Sequence, residues 1–404
     1  MKKDVYLESV KLHKKLKGKL EIISKVPLKT KKDLSLLYTP GVAQPSKDIA
    51  KDKDKSYLYT GRGNLVAVVS DGSAVLGLGN IGAEAAMPVM EGKCLLFKEL
   101  AGVNAFPICL DTQDVDEICA CVKHLEPTFG GINLEDISSP RCFLIEERLK
   151  KTLSIPVFHD DQHGTAVVVL AALINALKLT NRKLSQVKAV INGTGAAGVA
   201  IAKLLLSTGV KDIIMCDTVG IIYKGRKTNM NFIKEEIATT TNKNNLKGVL
   251  KDALCSSNLF IGVSGPNCVT VSMVKTMEKD PIIFAMSNPI PEIMPDEAKK
   301  AGARIIGTGR SDFPNQINNV LGFPGIFKGA FSVRASTINE EMKLAASYAI
   351  ASMVPKSKLS EDYFIPSPLD RKVAVKVAAE VAKAAIKSKV ARLAPRAKQT
   401  KVKK

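Results

Sequence analysis

Residues 187–217 place a strand, a glycine-rich turn, a helix and a second strand in immediate succession. The apolar run 187–192 leads into G-T-G-A-A-G, an apolar helical pattern covers 199–206, and a second apolar run, 213–216, is followed by Asp217. Two strands that are joined by a helix pair in parallel and form a right-handed βαβ unit. This segment therefore predicts an α/β fold with a mostly parallel sheet.

Each glycine of this turn has its own task. Gly193 permits the tight turn, Gly195 lets the backbone approach a pyrophosphate, and Gly198 lets the helix pack against the strand. The N-terminus of the helix attracts phosphate groups. Asp217 lies 24 positions after Gly193, where a carboxylate accepts a hydrogen bond from an adenosine ribose hydroxyl. The sequence thus predicts a dinucleotide site made of Gly193, Thr194, Gly195, Ala196, Ala197, Gly198 and Asp217.

Two pairs of adjacent acids close short apolar segments earlier in the chain. Glu135 and Asp136 follow the segment 130–134, and Asp160 and Asp161 stand between an apolar run and an apolar helical pattern. If neighbouring parallel strands carry the two pairs, the acids converge on one crevice and form an all-oxygen site that suits magnesium or manganese better than zinc. The alternative is a purely structural role, because an aspartate at a helix N-terminus also serves as a cap.

Several single polar residues are further candidates for the functional site. Lys93 is followed by an apolar run. Desolvation or a nearby cation would lower the pKa of its amine, which could then act as a base. Alternatively, Lys93 is an ordinary surface lysine with no role in catalysis. Tyr38 is held by a Pro-Gly turn and is a candidate proton donor or a packing residue. Asn288 and Asn319 stand in loops that should line the same crevice. A second G-x-G-x-x-G, over 77–82, lacks a following strand with an acid, so we interpret it as structural.

The net charge of +20 does not indicate a nucleic-acid-binding body. Residues 1–60 carry 15 Lys against 7 acids, and residues 381–404 carry 9 basic residues and no acid, so the central chain is nearly neutral. The amphipathic pattern over 1–35 predicts one or two surface helices that pack on a partner subunit, and hence a homodimer or a higher homo-oligomer. The end of the chain, 391–404, is predicted to be a disordered basic tail.

Cysteine usage and the N-terminus both predict a cytoplasmic protein. Eight Cys are scattered without a C-x-x-C pair, which is typical of reduced core thiols rather than of disulfides or a zinc cluster. The first residues lack the apolar stretch of a signal peptide. The longest apolar run, 165–177, contains Asn175 and is too short to span a bilayer, so no membrane association is predicted.

Five motifs together resemble those of malic enzymes of the short, bacterial type: L-Y-T-P-G at 37–41, E-G-K at 91–93, I-N-L-E-D-I at 132–137, H-D-D-Q-H-G-T at 159–165 and S-N-P at 287–289. The resemblance implies oxidative decarboxylation of (S)-malate to pyruvate and carbon dioxide with NAD or NADP and Mg²⁺ or Mn²⁺. It also implies an N-terminal α/β domain over 1–160 and a Rossmann-type dinucleotide-binding domain over 161–390.

The same resemblance implies individual roles. Tyr38 would be the proton donor, Lys93 the proton acceptor that also contacts substrate, and Asp160 a supporting acid. The metal ligands would be Glu135, Asp136 and Asp161, and the contacts to malate or the nicotinamide region would be Asn288 and Asn319. One departure stands out: Ala74 occupies the neighbourhood where larger malic enzymes have an arginine for a malate carboxylate, which leaves the cationic partner of that carboxylate unassigned.

Coenzyme choice and two competing functions remain open at this level. Asp217 favours NAD because a carboxylate repels the 2′-phosphate of NADP, and Val219 adds no compensating charge. The nearest cations that could reverse this preference are Lys224, Arg226 and Lys227. The alternative functions are a metal-free amino-acid or hydroxy-acid dehydrogenase and a non-catalytic dinucleotide-binding protein that uses its basic ends to contact nucleic acid.

Overall fold

In the computed structural model, which describes residues 4–393, the first sheet contains four parallel strands in the order β2-β1-β3-β4. The strands are β1 Leu65–Ser70, β2 Asn104–Cys109, β3 Gly131–Leu134 and β4 Val157–His159. Every pairing in this sheet is parallel. The carboxyl ends of β3 and β4 therefore lie side by side at one edge of the sheet, with Leu134 in register with His159.

The second sheet has six strands in the order β10-β9-β8-β5-β6-β7. They are β5 Lys188–Asn192, β6 Asp212–Asp217, β7 Gly220–Ile221, β8 Leu259–Gly262, β9 Ile282–Ala285 and β10 Ile305–Thr308. Five of these strands pair in parallel, and the short β7 is antiparallel to β6. The predicted α/β class with a mostly parallel sheet is confirmed.

Helices cover both sheets and extend the chain at its N-terminus. They are α1 Val5–Leu16, α2 Lys31–Leu37, α3 Ala43–Lys51, α4 Ser56–Tyr59, α5 Ala83–Ala101, α6 Val115–Leu125, α7 Arg141–Thr152, α8 Asp160–Leu179, α9 Ala196–Ser207, α10 Phe232–Thr240, α11 Leu250–Leu254, α12 Val271–Val274, α13 Pro295–Lys300, α14 Phe323–Ser332, α15 Glu340–Ser352 and α16 Arg371–Lys387. The last helix ends at Lys387, and Lys389 shortly after it adopts a left-handed φ of 61°. The predicted tail, 391–404, falls almost entirely outside the described residues.

Helix α8 forms the centre of the main hydrophobic core. Of its 20 residues 14 are buried, and it packs against α9 and α15 in a core cluster that also takes in β1, β5 and α5. Its buried amide Asn175 donates from Nδ2 to the carbonyls of Ala351 and Phe364, both at 2.9 Å. Within residues 4–393, α8 alone is long and apolar enough to cross a membrane, but 72% of that stretch is buried in the protein. It is therefore a core helix, longer than the apolar run 165–177 because it begins at the two acids.

The N-terminal arm, which we define as residues 4–59, lies on the surface. Helices α1, α2 and α3 contain no buried residue, and α1 and the start of α2 fall within 1–35, where surface helices were predicted. Several large apolar side chains of this arm are exposed, among them Val5 at 73%, Tyr6 at 75% and Ile22 at 85%. Apolar surface of this extent is typical of an interaction face rather than of a solvated arm.

Candidate active site

Three carboxylates converge where β3 and β4 end. Glu135 and Asp136 follow β3, and Asp161 lies in the first turn of α8, directly after β4. One oxygen from each of the three carboxylates lies within 4.8 Å of the others. Three of the four acids of the two predicted pairs thus meet at one crevice, because the parallel register of β3 and β4 brings their carboxyl ends together.

The carboxylate cluster fits a hard divalent cation. The backbone of Asp136 has a left-handed φ of 53°, its N–H donates to Asp161 Oδ2 at 2.8 Å, and its own Oδ2 is buried without a hydrogen-bond partner. Burial, followed by the charges of Asp161 and Glu135, raises the pKa of Asp136 to about 9. An unpartnered oxygen among mutually repelling carboxylates is an arrangement that a bound Mg²⁺ or Mn²⁺ would stabilise.

Lys93 lies beside these acids, near the middle of α5. Its Nζ is 2.6 Å from Asp160 Oδ2 and 2.8 Å from Glu135 Oε1, and it also stands over the Phe323 ring at 4.3 Å from the centroid. Burial lowers the pKa of Lys93, but the two carboxylates outweigh it and hold that pKa above its ordinary value. These two carboxylates, which come from elements that are remote in sequence, favour the protonated amine, whereas the sequence predicted a partly neutral one.

Asp160 supports Lys93 from behind rather than lining the crevice. It is the first residue of α8 and is 0% exposed, and its Oδ1 has no hydrogen-bond partner. Burial raises the pKa of Asp160 to about 6, even though the Lys93 charge acts in the opposite direction. A Cβ at Gly164 would lie 1.8 Å from Asp160 Oδ1, so the glycine of the H-D-D-Q-H-G-T motif makes room for this carboxylate.

A crevice of about 850 Å³ runs between the two sheets. Its walls bring together residues that are far apart in the sequence, and those among the predicted site residues are Lys93, Glu135, Asp136, Asp161, Ala197, Asn288 and Asn319. Ala74 also lines the crevice. The replacement of the larger enzymes' arginine by this alanine therefore lies at the site. Residues of the N-terminal arm complete the wall and were not predicted from the sequence: Ser9, His13 and Lys19.

Tyr38 is not among the residues that line this crevice. It follows the last residue of α2 and is 67% exposed. Within one chain, therefore, the structure does not bring the predicted proton donor to the carboxylates and Lys93.

The glycine turn after β5 has the predicted form. Gly193 has a φ of 120°, and a Cβ there would lie 2.5 Å from the carbonyl oxygen of Val263. A Cβ at Gly198 would lie 1.8 Å from the carbonyl oxygen of Gly193, whereas Gly195 faces open space. Helix α9 begins at Ala196, so its N-terminus and the space at Gly195 lie where a pyrophosphate would approach.

Asp217 ends β6 as predicted, but cations already surround its carboxylate. Arg226 donates to both oxygens, at 2.9 Å to Oδ1 and at closer range to Oδ2, and Lys234 Nζ donates to Oδ2 at 2.7 Å. Although burial opposes ionisation, the hydrogen bonds from Arg226 and Lys234 lower the pKa of Asp217 to about 2. The sequence named Arg226 as a nearby cation but missed Lys234, because it lies in α10 and nothing in the local pattern directs it back to β6.

The two histidines of the H-D-D-Q-H-G-T motif stand at the start of α8, and His163 ties it to neighbouring helices. His163 lies 2.8 Å from Glu146 Oε2 through Nε2 and 3.1 Å from Lys343 Nζ through Nδ1. His159 is fully buried, and its Nδ1 is 3.8 Å from Asp161 Oδ2. Neither joins the carboxylate cluster. Glu146 and Lys343 are further residues of this environment that the sequence did not reveal.

Two family models match the chain in succession. The model described as "Malic enzyme, N-terminal domain" matches residues 17–150, and the model described as "Malic enzyme, NAD binding domain" matches residues 162–386. The chain belongs to the malic enzyme family. The resemblance seen in the five sequence motifs is thereby confirmed, and so is a dinucleotide-binding domain in the second half of this malic enzyme.

Relatives extend the similarity over nearly the whole chain. A bifunctional malic/malolactic enzyme of Bacillus subtilis (strain 168) is 62% identical over 96% of this chain and 94% of its own length. An NAD-dependent malic enzyme of Geobacillus stearothermophilus is 58% identical, with coverage of 93% and 78%. An NADP-dependent malic enzyme of Escherichia coli (strain K12) is 49% identical over 93% of this chain, which spans 51% of that protein. Relatives of this malic enzyme are thus named for both coenzymes.

A solved structure agrees with the fold. The crystal structure of the NAD-dependent malic enzyme from Thermotoga maritima superposes with a TM-score of 0.90 at 51% sequence identity, and the match covers 93% of this chain and 98% of that one. The two-sheet architecture described above is therefore the malic enzyme fold.

Proposed function

We propose that this protein oxidatively decarboxylates (S)-malate to pyruvate and carbon dioxide, with reduction of NAD or NADP and with a divalent cation. The observation that carries the proposal is the convergence of Glu135, Asp136 and Asp161 beside the Lys93–Asp160 pair, in a crevice that also receives the start of α9. A plain hydroxy-acid dehydrogenase has no need of three clustered carboxylates, whereas a β-decarboxylating enzyme uses a cation at the reacting oxygen.

The residues assigned to binding divide between the two sheets. Glu135, Asp136 and Asp161 would hold Mg²⁺ or Mn²⁺, and Asn288 and Asn319 would hydrogen-bond malate or the nicotinamide region from the opposite wall. When bound, the cation would polarise the substrate hydroxyl oxygen and the nicotinamide would accept a hydride. The turn from Gly193 to Gly198 would hold the pyrophosphate, because its backbone is accessible at Gly195.

The Lys93–Asp160 pair is proposed to move the hydroxyl proton. At 2.6 Å, Lys93 Nζ can pass a proton to Asp160 Oδ2 and then accept the proton of the substrate hydroxyl. Burial, which raises the pKa of Asp160 to about 6, makes that carboxylate a better proton acceptor than an exposed aspartate. Lys93 would thus act as the proton acceptor and Asp160 as the acid–base group behind it.

We infer that Tyr38 protonates the enol carbon in the crevice of a neighbouring subunit. Within one chain Tyr38 is 67% exposed and lies outside the crevice, on an arm whose apolar side chains face solvent. A homodimer or a higher homo-oligomer would bury that apolar surface and bring the hydroxyl to its site. Mixing the inactive variants Tyr38→Phe and Asp161→Ala should restore up to about a quarter of wild-type activity if the subunits exchange and share sites. No recovery with proven exchange would refute the shared site.

We infer that the crevice accepts both NAD and NADP. The predicted preference for NAD depended on an uncompensated carboxylate at Asp217, but one carboxylate and two cations, Arg226 and Lys234, stand together at this strand end. The local positive charge removes the repulsion that would disfavour a 2′-phosphate. The steady-state ratio of kcat/KM for NAD and NADP tests this inference, and a preference of more than about 100-fold for either coenzyme would contradict it.

The function itself is tested by following pyruvate formation from malate with each coenzyme. We expect turnover that EDTA abolishes and Mn²⁺ restores. Malate oxidation that yields oxaloacetate without pyruvate and resists EDTA would favour the metal-free dehydrogenase instead. Coenzyme binding without any turnover, together with salt-dependent retention on DNA, would favour the non-catalytic alternative.

A domain boundary and a cellular location can also be assigned. We propose a boundary near residue 160 between an N-terminal malic enzyme domain and the dinucleotide-binding domain, in line with the family matches over 17–150 and 162–386. We also propose a cytoplasmic location, which the eight free cysteines support. Limited proteolysis tests the boundary, and fractionation of the source cells tests the location.

A further inference from the structure

The crevice has to neutralise the negative charges of a substrate that has two carboxylates. A cation at the carboxylate cluster would hold the substrate hydroxyl, so the carboxylates of malate require positively charged partners of their own. Larger malic enzymes have an arginine near the position of Ala74, but the alanine that lines the crevice here carries no charge. Some other residue of this chain has to supply that charge.

The N-terminal arm docks onto α5 next to Lys93. The backbone N–H of Lys19 donates to Glu91 Oε2 at 3.0 Å, and the Lys19 Nζ donates to the carbonyl oxygen of Pro88 at 2.5 Å. Gly18 permits this contact, since its φ is 108° and a Cβ there would lie 3.0 Å from Glu91 Oε1. These contacts bring Lys19 to the crevice wall within a turn of helix of Lys93.

The position of the Lys19 ammonium is suited to an anion in the crevice. Its Nζ lies 3.6 Å from the position that a Cβ would take at Gly92, the residue before Lys93. In the described part of the chain, Nζ forms no ion pair and its hydrogen-bond acceptor is a neutral carbonyl. The other lysine of the crevice wall, Lys93, is already neutralised by Glu135 and Asp160. The charge of Lys19 is therefore available to a substrate.

A second group of the arm points to the same role. His13 also lines the crevice, and its Nε2 is buried without a hydrogen-bond partner, while its Nδ1 lies 2.8 Å from the carbonyl oxygen of Ser9. A buried ring nitrogen without a partner requires a ligand or a water molecule to satisfy it. The arm thus offers two polar groups to the same space.

We propose that Lys19 binds the malate carboxylate that the larger enzymes hold with an arginine at the position of Ala74. The proposal rests on the proposed malate-decarboxylating function and adds a specificity residue to it. The Lys19 ammonium contacts the substrate from the crevice wall, and His13 supplies a hydrogen bond beside it.

The reaction decides which carboxylate this lysine holds. Decarboxylation removes the charge of the leaving carboxylate, so a cation fixed to that group would stabilise the ground state and oppose the reaction. A cation on the carboxylate that pyruvate retains stabilises the substrate and the transition state equally. Lys19 therefore acts by uniform binding, and its loss should raise KM and leave kcat nearly unchanged.

The test compares Lys19→Met, which keeps the length of the side chain, with Lys19→Arg, which keeps its charge. The matched control is Lys14→Met, because Lys14 is an exposed lysine of the same arm that does not line the crevice. We expect Lys19→Met to raise KM for malate by about 10- to 100-fold with kcat within about threefold of wild type, and Lys19→Arg to recover most of the loss. KM for the coenzyme and the melting temperature should not change.

A binding measurement provides a readout that is independent of turnover. Isothermal titration of each variant with malate in the presence of Mn²⁺ should show the same loss of affinity for Lys19→Met, while Mn²⁺ alone binds all variants equally. Wild-type KM and affinity in Lys19→Met would overturn the proposal and leave the malate function intact. Equal loss in Lys19→Met and Lys19→Arg would also overturn it, because the side chain would then act only in docking the arm. A wild-type enzyme that forms no pyruvate would instead contradict the function itself.

Discussion

The Lys93 ammonium and the Asp160 carboxylate form a buried pair, with Nζ 2.6 Å from Oδ2. Asp160 is 0% exposed, and its second oxygen has no partner, so its carboxylate can exchange a proton with Lys93. This geometry makes Asp160 more than a structural helix cap. Its removal should affect catalysis before it affects metal binding.

Asp160→Asn should lower kcat by about 100-fold, because an amide cannot take the proton of Lys93. The measurement is steady-state pyruvate formation at saturating Mn²⁺ and malate, with the melting temperature as a check on folding. Asp116→Asn, at an exposed position paired with Arg148, is the matched control and should behave as wild type. Activity of Asp160→Asn within threefold of wild type would remove Asp160 from the catalytic pair.

Tyr38→Phe and Lys93→Ala should separate the two chemical halves. We expect Tyr38→Phe to impair pyruvate formation much more than the reduction of added oxaloacetate, because that reduction requires no protonation of an enol carbon. Lys93→Ala should impair both reactions, since the hydroxyl proton is transferred in each. Both reactions can be followed by the absorbance of the reduced coenzyme. If each variant lost the two reactions to the same extent, this division of labour would be refuted.

Asp161→Ala should abolish the metal-dependent turnover and leave the fold intact. Removal of one of three clustered oxygen ligands weakens a divalent site severely, and Asp161 is half-buried at the crevice rather than packed in the core. Titration with Mn²⁺, followed by its electron paramagnetic resonance signal, measures the loss directly. Wild-type activity at saturating Mn²⁺ would show that Asp161 is not a ligand.

Stability of the metal-free protein should fall as pH rises from 7 to 9. The pKa of Asp136 is raised to about 9 in the folded protein, against about 4 in an unfolded chain. The folded state therefore binds this proton more tightly than the unfolded state does, and raising the pH weakens folding until the folded pKa is passed. Between pH 7 and 9 the free energy of unfolding should fall by about 2 kcal/mol less in Asp136→Asn than in the wild type, as measured by urea unfolding in EDTA. Mn²⁺ should stabilise the wild type most at pH 9, and an identical slope in the variant would contradict the assignment.

Coenzyme choice should respond to charge at the end of β6. Lys234→Met leaves Asp217 with Arg226 alone, so kcat/KM for NADP should fall about tenfold relative to NAD, or about 1.4 kcal/mol. Val219, which is 46% exposed, offers the reverse experiment: Val219→Lys should raise the same ratio, and Val219→Gln is its neutral control. Unchanged ratios in Lys234→Met and Val219→Lys would show that this cluster does not face the 2′ position.

Local pattern and topology were sufficient to predict much of the site. Strand ends are visible as apolar runs that stop at acids, and parallel strands always bring those ends to one edge, so the meeting of Glu135, Asp136 and Asp161 followed from the sequence. The turn from Gly193 to Gly198 was predictable because its glycines follow a strand and precede a helix at the spacing of a dinucleotide-binding turn.

Charge state and remote partners could not be predicted in the same way. Glu135 and Asp160, the latter 67 residues away in sequence, approach Lys93 in space and raise its pKa above the ordinary value. Lys234 lies 17 residues beyond Asp217, and Lys19 reaches Pro88 across 69 residues. Such pairings depend on tertiary packing, which neither periodicity nor motif spacing encodes.

Helix α8 also determines which side of the crevice is able to move. It carries Asp160 and Asp161 at its first turn and buries 14 of its 20 residues in the core, so its amides should be among the slowest to exchange with deuterated solvent. The acid-bearing wall cannot shift without opening that core. We therefore expect any closure around a substrate to move the opposite wall, which bears Ser287 and Asn288, while the acid-bearing wall stays fixed.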